Sequence, residues 1–215
     1  MSTGPLVAVV DYGMGNRRSV EKALEHVGAR ARITADHGEL RAAAALVLPG
    51  VGAFPWGMAN LRALGLHELL AERAAAGVPL LGICLGMQLL FEQSVELEPT
   101  AGLGLLAGAV SPLDTGGLPV PHIGWNEVTF DREGVLTAGL GAGRPFYHVH
   151  SLAARPADPA DVVGSAEYGE RFATIVEHGA VHGVQFHPEK SSRDGLRLLS
   201  SFVALAGSDS SRAAA

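Results

Sequence analysis

The chain of 215 residues holds a single cysteine, Cys84. One thiol excludes an intramolecular disulfide and a four-cysteine zinc site, and it favours a reducing, cytoplasmic compartment. Basic runs are missing as well: 16 Lys and Arg stand against 22 Asp and Glu, a net charge of −6. That balance argues against the electropositive face used to bind nucleic acid. No apolar run reaches the roughly 18 residues of a membrane-spanning helix. The N-terminal stretch MSTGPLVAVVDYG lacks the basic start of a secretory leader. No Gly-Lys-Ser/Thr is present to build a phosphate loop, and Gly13-Met14-Gly15 has Arg18 where a dinucleotide fingerprint needs glycine. What the chain does have is 28 Gly, 12 Pro and 47% hydrophobic residues. That composition suits a compact fold with many tight turns and a core that needs no covalent staple.

The N-terminal half alternates between two periods. Leu6–Val10, Arg30–Thr34, Ala44–Leu48 and Val78–Ile83 read as strands, three of them apolar throughout and so buried on both faces of a parallel sheet. Arg17–His26, Gly57–Leu64 and Leu66–Ala76 read as helices, and a further helix is expected from Cys84 through Phe91. Strand–helix–strand order demands right-handed crossovers. The expected fold class is therefore α/β: three layers around a mostly parallel central sheet flanked by helices. In the C-terminal half, Val128–Phe130, Pro145–Val149, Val162–Tyr168, Phe172–Glu177 and Ala180–Phe186 read as added antiparallel strands, followed by one helix at about Asp194–Leu205. Residues 1–207 form one expected domain, and the small, polar stretch 208–215 is an expected flexible tail.

Chemistry concentrates at three places. Gly82-Ile83-Cys84-Leu85-Gly86 follows an apolar strand and precedes a helical pattern, the arrangement of a nucleophile elbow. The sharp turn exposes the nucleophile, the flanking glycines avoid collisions, and the Leu85 N–H is placed to hold an oxyanion. A buried structural cysteine is the bland alternative. His187-Pro188-Glu189 ends the last strand: proline stops the ladder, the imidazole sits at the strand end, and Glu189 can fold back to orient it. Pro49-Gly50-Val51-Gly52 leaves the third strand; it is an ordinary exit turn or a source of a second oxyanion donor. His148 and His150 share a strand face but have no acidic or Cys partner at ligand spacing, so a metal is not expected, and His122 and His182 read as polar core or surface residues.

Together these segments resemble the class I (triad) glutamine amidotransferases, and within them the glutaminase subunits of imidazole glycerol phosphate synthases, almost end to end from Val9 to Phe202. The general class is carried by Pro49-Gly50-x-Gly52, Gly82-Ile83-Cys84-Leu85-Gly86-Met87-Gln88 and His187-Pro188-Glu189. The narrower likeness rests on Asp11-Tyr12-Gly13-Met14-Gly15-Asn16, Pro121-His122-Ile123-Gly124-Trp125-Asn126 and the run from Gly183 to Ser191. The resemblance implies a flavodoxin-like fold and a Cys84–His187–Glu189 triad, with Gly52 and Leu85 as oxyanion donors. It implies that Gln88, Glu96, His150 and Ser151 contact glutamine and that Trp125 and Asn126 lie towards a partner. That partner would be a (β/α)₈-barrel cyclase, joined in a heterodimer of histidine biosynthesis and fed with ammonia. No cofactor, metal, membrane or nucleic acid is implied. Leu152, Val95 and Arg17 stand where the family usually has other residues. The alternatives are the glutaminase subunit of another synthase, such as the one making pyridoxal phosphate, and a non-catalytic regulatory partner.

Overall fold

The computed structural model describes residues 4–212, with side chains to residue 207. The expected tail at 208–215 therefore lies outside the fully described residues. Among the described residues, thirteen strands join in one sheet. Its parallel core is β1 (Leu6–Val10), β2 (Arg30–Thr34), β3 (Ala45–Leu48), β4 (Leu80–Ile83) and the late β13 (Val181–Val184), in the order β2-β1-β3-β4-β13. This is the flavodoxin-like order, which reverses direction between β1 and β3 and opens a crevice at the strands' carboxyl ends.

The three layers follow from the strand period of two. Val7, Val9, Ala45, Val47, Leu81 and Ile83 point to one side and pack against Val20 and Leu24 of α1 (Arg17–His26) and Leu198, Leu199 and Phe202 of α6 (Ser192–Arg212). Ala8, Val10, Leu46, Leu48 and Leu80 point to the other. They meet Leu40 of α2 (His37–Ala42), Met58 and Leu61 of α3 (Phe54–Ala63), and Leu66 and Leu70 of α4 (Leu66–Ala75). Alternate residues thus serve opposite layers, which is why these strands read as continuous apolar runs.

Several boundaries differ from the sequence reading. The helix expected through Phe91 is only α5 (Leu85–Leu89). Phe91 instead begins β5 (Phe91–Ser94), which pairs with β6 (Thr100–Ala101) and β7 (Leu106–Pro112). The run Leu89-Leu90-Phe91 satisfies either period, and sheet pairing decides it. The short α2, capped by the Asp36 carboxylate on the Glu39 N–H, was not expected, nor was β10 (Leu152–Pro156). The strand expected at Val128–Phe130 runs from His122 to Phe130 as β8 and pairs throughout with β9 (Gly143–His150). The remaining strands, β11 (Val162–Tyr168) and β12 (Glu170–His178), stand almost where the alternation placed them. β12 pairs antiparallel with β13 and carries the antiparallel wing. No helix among the described residues is long and apolar enough to cross a membrane.

Candidate active site

The carboxyl ends of β3, β4 and β13 converge on one pocket of about 270 Å³. The elbow at its floor is enforced by backbone contacts. Cys84 holds φ 55°, ψ −111°, a conformation rare for a side-chain-bearing residue. A Cβ on Gly86 would sit 1.7 Å from the Leu48 carbonyl oxygen, and one on Gly82 would sit 2.7 Å from the Gly86 backbone. Both glycines are therefore steric requirements of the turn. The following helix, α5, has five residues, so its dipole adds little to the sulfur's environment.

His187 reaches the sulfur from the far strand. Its backbone N–H donates to the Tyr147 carbonyl at 2.9 Å, and Ser191 Oγ donates to its carbonyl at 2.7 Å, fixing the chain at the turn into Pro188. Its Nδ1 lies 2.8 Å from Glu189 Oε1. Both side chains are buried, and Glu189 Oε2 has no hydrogen-bond partner. Burial pulls the imidazole pKa down, but the contacts with Cys84 and Glu189 outweigh it and raise the value to about 9. The ring is thus protonated at neutral pH beside the only sulfur nucleophile.

Two residues of this cluster have no role in the sequence reading. Asn16 Nδ2 donates to Glu189 Oε1 at 2.6 Å and lies 3.4 Å from His187 Nδ1. Asn16 is left-handed at φ 73°, which asparagine tolerates better than most residues, and that bend turns its amide towards the carboxylate. Gln185 is fully buried; its Oε1 accepts from Gln88 Nε2 at 3.0 Å and its Nε2 approaches Cys84 Sγ at 3.9 Å. Both lie inside segments that stood out in the sequence, yet only the fold shows what their amides touch.

The other expected residues gather around the same space. Gly52, Leu85, Gln88, Glu96, His150 and Ser151 line the pocket with Cys84 and His187, while Glu189 stands behind the imidazole. Leu152 and Lys190 line it too. Glu96 also serves the fold: Ala53 offers no capping side chain to α3, and Glu96 Oε2 accepts from the Phe54 N–H at 2.6 Å instead. The Leu85 N–H, expected to face an oxyanion, donates to the Gly50 carbonyl at a long 3.3 Å. Tyr12 Oη donates to the Pro49 carbonyl at 2.6 Å, and burial drives that phenol's pKa far up. Gly50 is needed there, since a Cβ would lie 2.2 Å from the hydroxyl. The exit turn is therefore latched to the loop after β1. Trp125 is 54% exposed on β8 beside Ile123. Asn126 is on the opposite face of that strand and gives its amide to the Glu167 carbonyl at 2.9 Å and to His122 Nε2 at 3.3 Å. His182 is buried next to Phe202, away from the pocket.

The chain is similar to known proteins along most of its length. Residues 8–205 match the model of the class-I glutamine amidotransferase family. The chain is 52% identical over 196 residues to the imidazole glycerol phosphate synthase subunit HisH of Moorella thermoacetica, covering 91% of this chain and 93% of the relative. It is 45% identical over 202 residues to the HisH subunit of Rhodopirellula baltica, covering 92% and 97%. Among solved structures, a chain of PurLQS from Thermotoga maritima superimposes with TM-score 0.73 at 22% identity, over 94% of this chain and 99% of that one, a likeness of fold alone.

Proposed function

The chain belongs to the class-I glutamine amidotransferase family, and from that premise we propose that it is the glutaminase subunit of an imidazole glycerol phosphate synthase in histidine biosynthesis. The observation that carries the reading is Cys84 and His187 side by side at the floor of a pocket sized for an amino acid, with Glu189 2.8 Å behind the imidazole. Cys84 Sγ, as thiolate, attacks the side-chain carboxamide carbon of glutamine, and the C–N bond of the tetrahedral adduct breaks as the His187 imidazolium gives its proton to the leaving nitrogen. Ammonia departs and a γ-glutamyl thioester remains. Neutral His187 then takes a proton from water, whose oxygen attacks the thioester; glutamate leaves and the thiolate returns. Glu189 stabilises the imidazolium and holds its ring orientation.

The oxyanion is held by the Gly52 and Leu85 amides. In the described conformation Leu85 is engaged by Gly50, so the exit turn must shift before that donor is free. Gln88, Glu96 and the His150-Ser151 segment hold the substrate's remaining groups. Residues 1–207 act as one catalytic unit in the cytoplasm. A (β/α)₈-barrel cyclase docks on the face that carries Trp125 and receives the ammonia, which water would otherwise trap as ammonium. The test is glutamine hydrolysis with and without such a cyclase. Cys84→Ala is expected to remove turnover and leave the melting temperature within a few degrees, since the side chain fills little space; undiminished hydrolysis by that variant refutes the reading.

A further inference from the structure

Three histidines, His122, His148 and His150, are buried together beside the pocket, and the triad uses none of them. Their hydrogen bonds leave one consistent set of proton positions. His150 Nδ1 lies 2.8 Å from the Leu152 carbonyl, which can only accept, so Nδ1 carries the proton. His150 Nε2 is then a lone pair, and it lies 3.0 Å from His122 Nδ1, which must donate. His122 Nε2 is left as an acceptor, and it faces Asn126 Nδ2 at 3.3 Å. The second Asn126 hydrogen goes to the Glu167 carbonyl at 2.9 Å. From Asn126 on β8 inward, every donor meets an acceptor in one direction, through His122 and His150 to the chain that lines the pocket, while the other Asn126 hydrogen ties the amide back to β11. Burial lowers His122 and takes His150 to about 4, so both rings are neutral at physiological pH, as this pattern requires.

The relay ends where substrate would sit. The Leu152 carbonyl also accepts from Gln88 Nε2 at 3.3 Å, and Gln88 continues through Gln185 towards Cys84 Sγ. Both nitrogens of His150 are consumed, so its ring has nothing left to offer a ligand. Of the polar side chains of this segment, Ser151 is left to meet one. The His122 ring is itself held by stacking on Tyr168, with centroids 4.1 Å apart and planes 23° from parallel.

We infer that His122 is a positioning residue for the glutamine pocket: by donating from Nδ1 to His150 it locks the His150–Leu152 backbone in the shape that binds the substrate's amino and carboxylate groups. The substrate half of this inference rests on the glutaminase reading; the relay does not. Because His122 touches neither the sulfur nor the reacting carbonyl, it acts on binding and not on the chemical step.

The test uses the full chain and the series His122→Asn, His122→Gln and His122→Phe. Asparagine keeps an N–H where Nδ1 stands, glutamine moves it to the Nε2 position, and phenylalanine removes it. Losing one buried hydrogen bond is expected to raise KM for glutamine about tenfold in the Gln and Phe variants with kcat within about twofold, while Asn restores KM to near wild type. In the unaltered protein, nitrogen-15 NMR of labelled histidines is expected to find His122 and His150 both protonated on Nδ1. An unchanged KM in the Phe variant, or an Asn variant no better than Gln, overturns the inference. So does a His150 ring protonated on Nε2, and this readout needs no variant to fold. A wild-type chain with the stated tautomers that neither binds nor hydrolyses glutamine refutes the glutaminase reading and the substrate half with it, leaving the relay as a structural feature.

Discussion

Two histidines, His187 and His150, line the same pocket and are driven in opposite directions. Both rings are buried, yet one is raised to about 9 and the other lowered to about 4. Burial alone opposes the charge on both. The difference lies in what each ring faces. His187 has Glu189 at 2.8 Å and the Cys84 sulfur, which reward a positive charge. For His150 burial dominates: the hydrogen bond to the Leu152 carbonyl offsets it only in part, and His122 and His187 add like-charge repulsion. One wall of the pocket is thus built to hold and transfer a proton, the other to keep its protons fixed. The Cys84 sulfur and the Glu189 carboxylate together separate the two behaviours.

The sharpest way to break that contrast is Glu189→Gln. The amide retains an acceptor for His187 Nδ1, and its nitrogen would replace Oε2, which has no partner to lose. The fold should therefore survive while the charge disappears. The expected loss is about 10²–10⁴ in kcat, with the alkaline limit of activity moving from about pH 9 towards the ordinary imidazole value. Steady-state rates across pH 6–10 check it, and an unmoved alkaline limit would show that Glu189 does not set the charge of His187. A milder break is Asn16→Gly, which tolerates the left-handed backbone but deletes the 2.6 Å bond to Glu189. Asn16 is not among the pocket-lining residues, so the expected outcome is a fall of about tenfold in kcat, about the strength of one hydrogen bond to a charged group, with KM unchanged. A rise in KM instead would mean that the loop serves substrate binding.

The two walls were not equally legible in the sequence. The elbow is legible in a short segment: Gly82 is required by the Gly86 and Met87 backbone of the same turn, although Gly86 answers to the Leu48 carbonyl on the neighbouring strand β3. The inner parallel strands β1, β3 and β4 declared themselves because both faces of each are buried and polar side chains are missing from them, whereas β2 at the edge is half exposed and mixed in composition. The neutral wall is built from β8, β9 and β11, which meet only by antiparallel pairing across long sequence separations. Gly124 and the polar residues alternating along β8 hide its first half, and no local rule says that His122 will meet His150. Asn16 shows the same limit from the other side: its segment stood out as a motif, but its contact with Glu189 spans 173 positions. β13 was legible as a strand, whereas its place as the fifth member of the parallel core was not.

The smallest expected effect joins both walls in one measurement, the pH dependence of stability. His187 has a raised pKa in the folded chain, so its contribution is fully present below the unfolded value of 6.5 and is lost as pH rises through about 9. His150 has a lowered pKa, so the unfolded chain takes up a proton near 6.5 that the folded chain refuses until about 4. Its contribution is therefore full above 6.5 and lost as pH falls, and the lowered values of His122 and His148 act with the same sign. Carboxylates such as Glu177, lowered against the effect of burial by nearby His182 at 3.8 Å and by the Leu136 and Val135 N–H groups that donate to it, add to the acid loss only once pH falls to the ordinary carboxylate value and below. Thermal melts should therefore peak near pH 6.5 and fall on both sides, by about 5 °C at pH 5 if the histidine shifts amount to roughly 2 kcal/mol in a chain of this size. In Glu189→Gln the alkaline decline should flatten while the acid decline persists, because only one wall has lost its countercharge. A variant in which both limbs flatten together would mean that the two histidine groups titrate as one coupled cluster and that the division between them is not real.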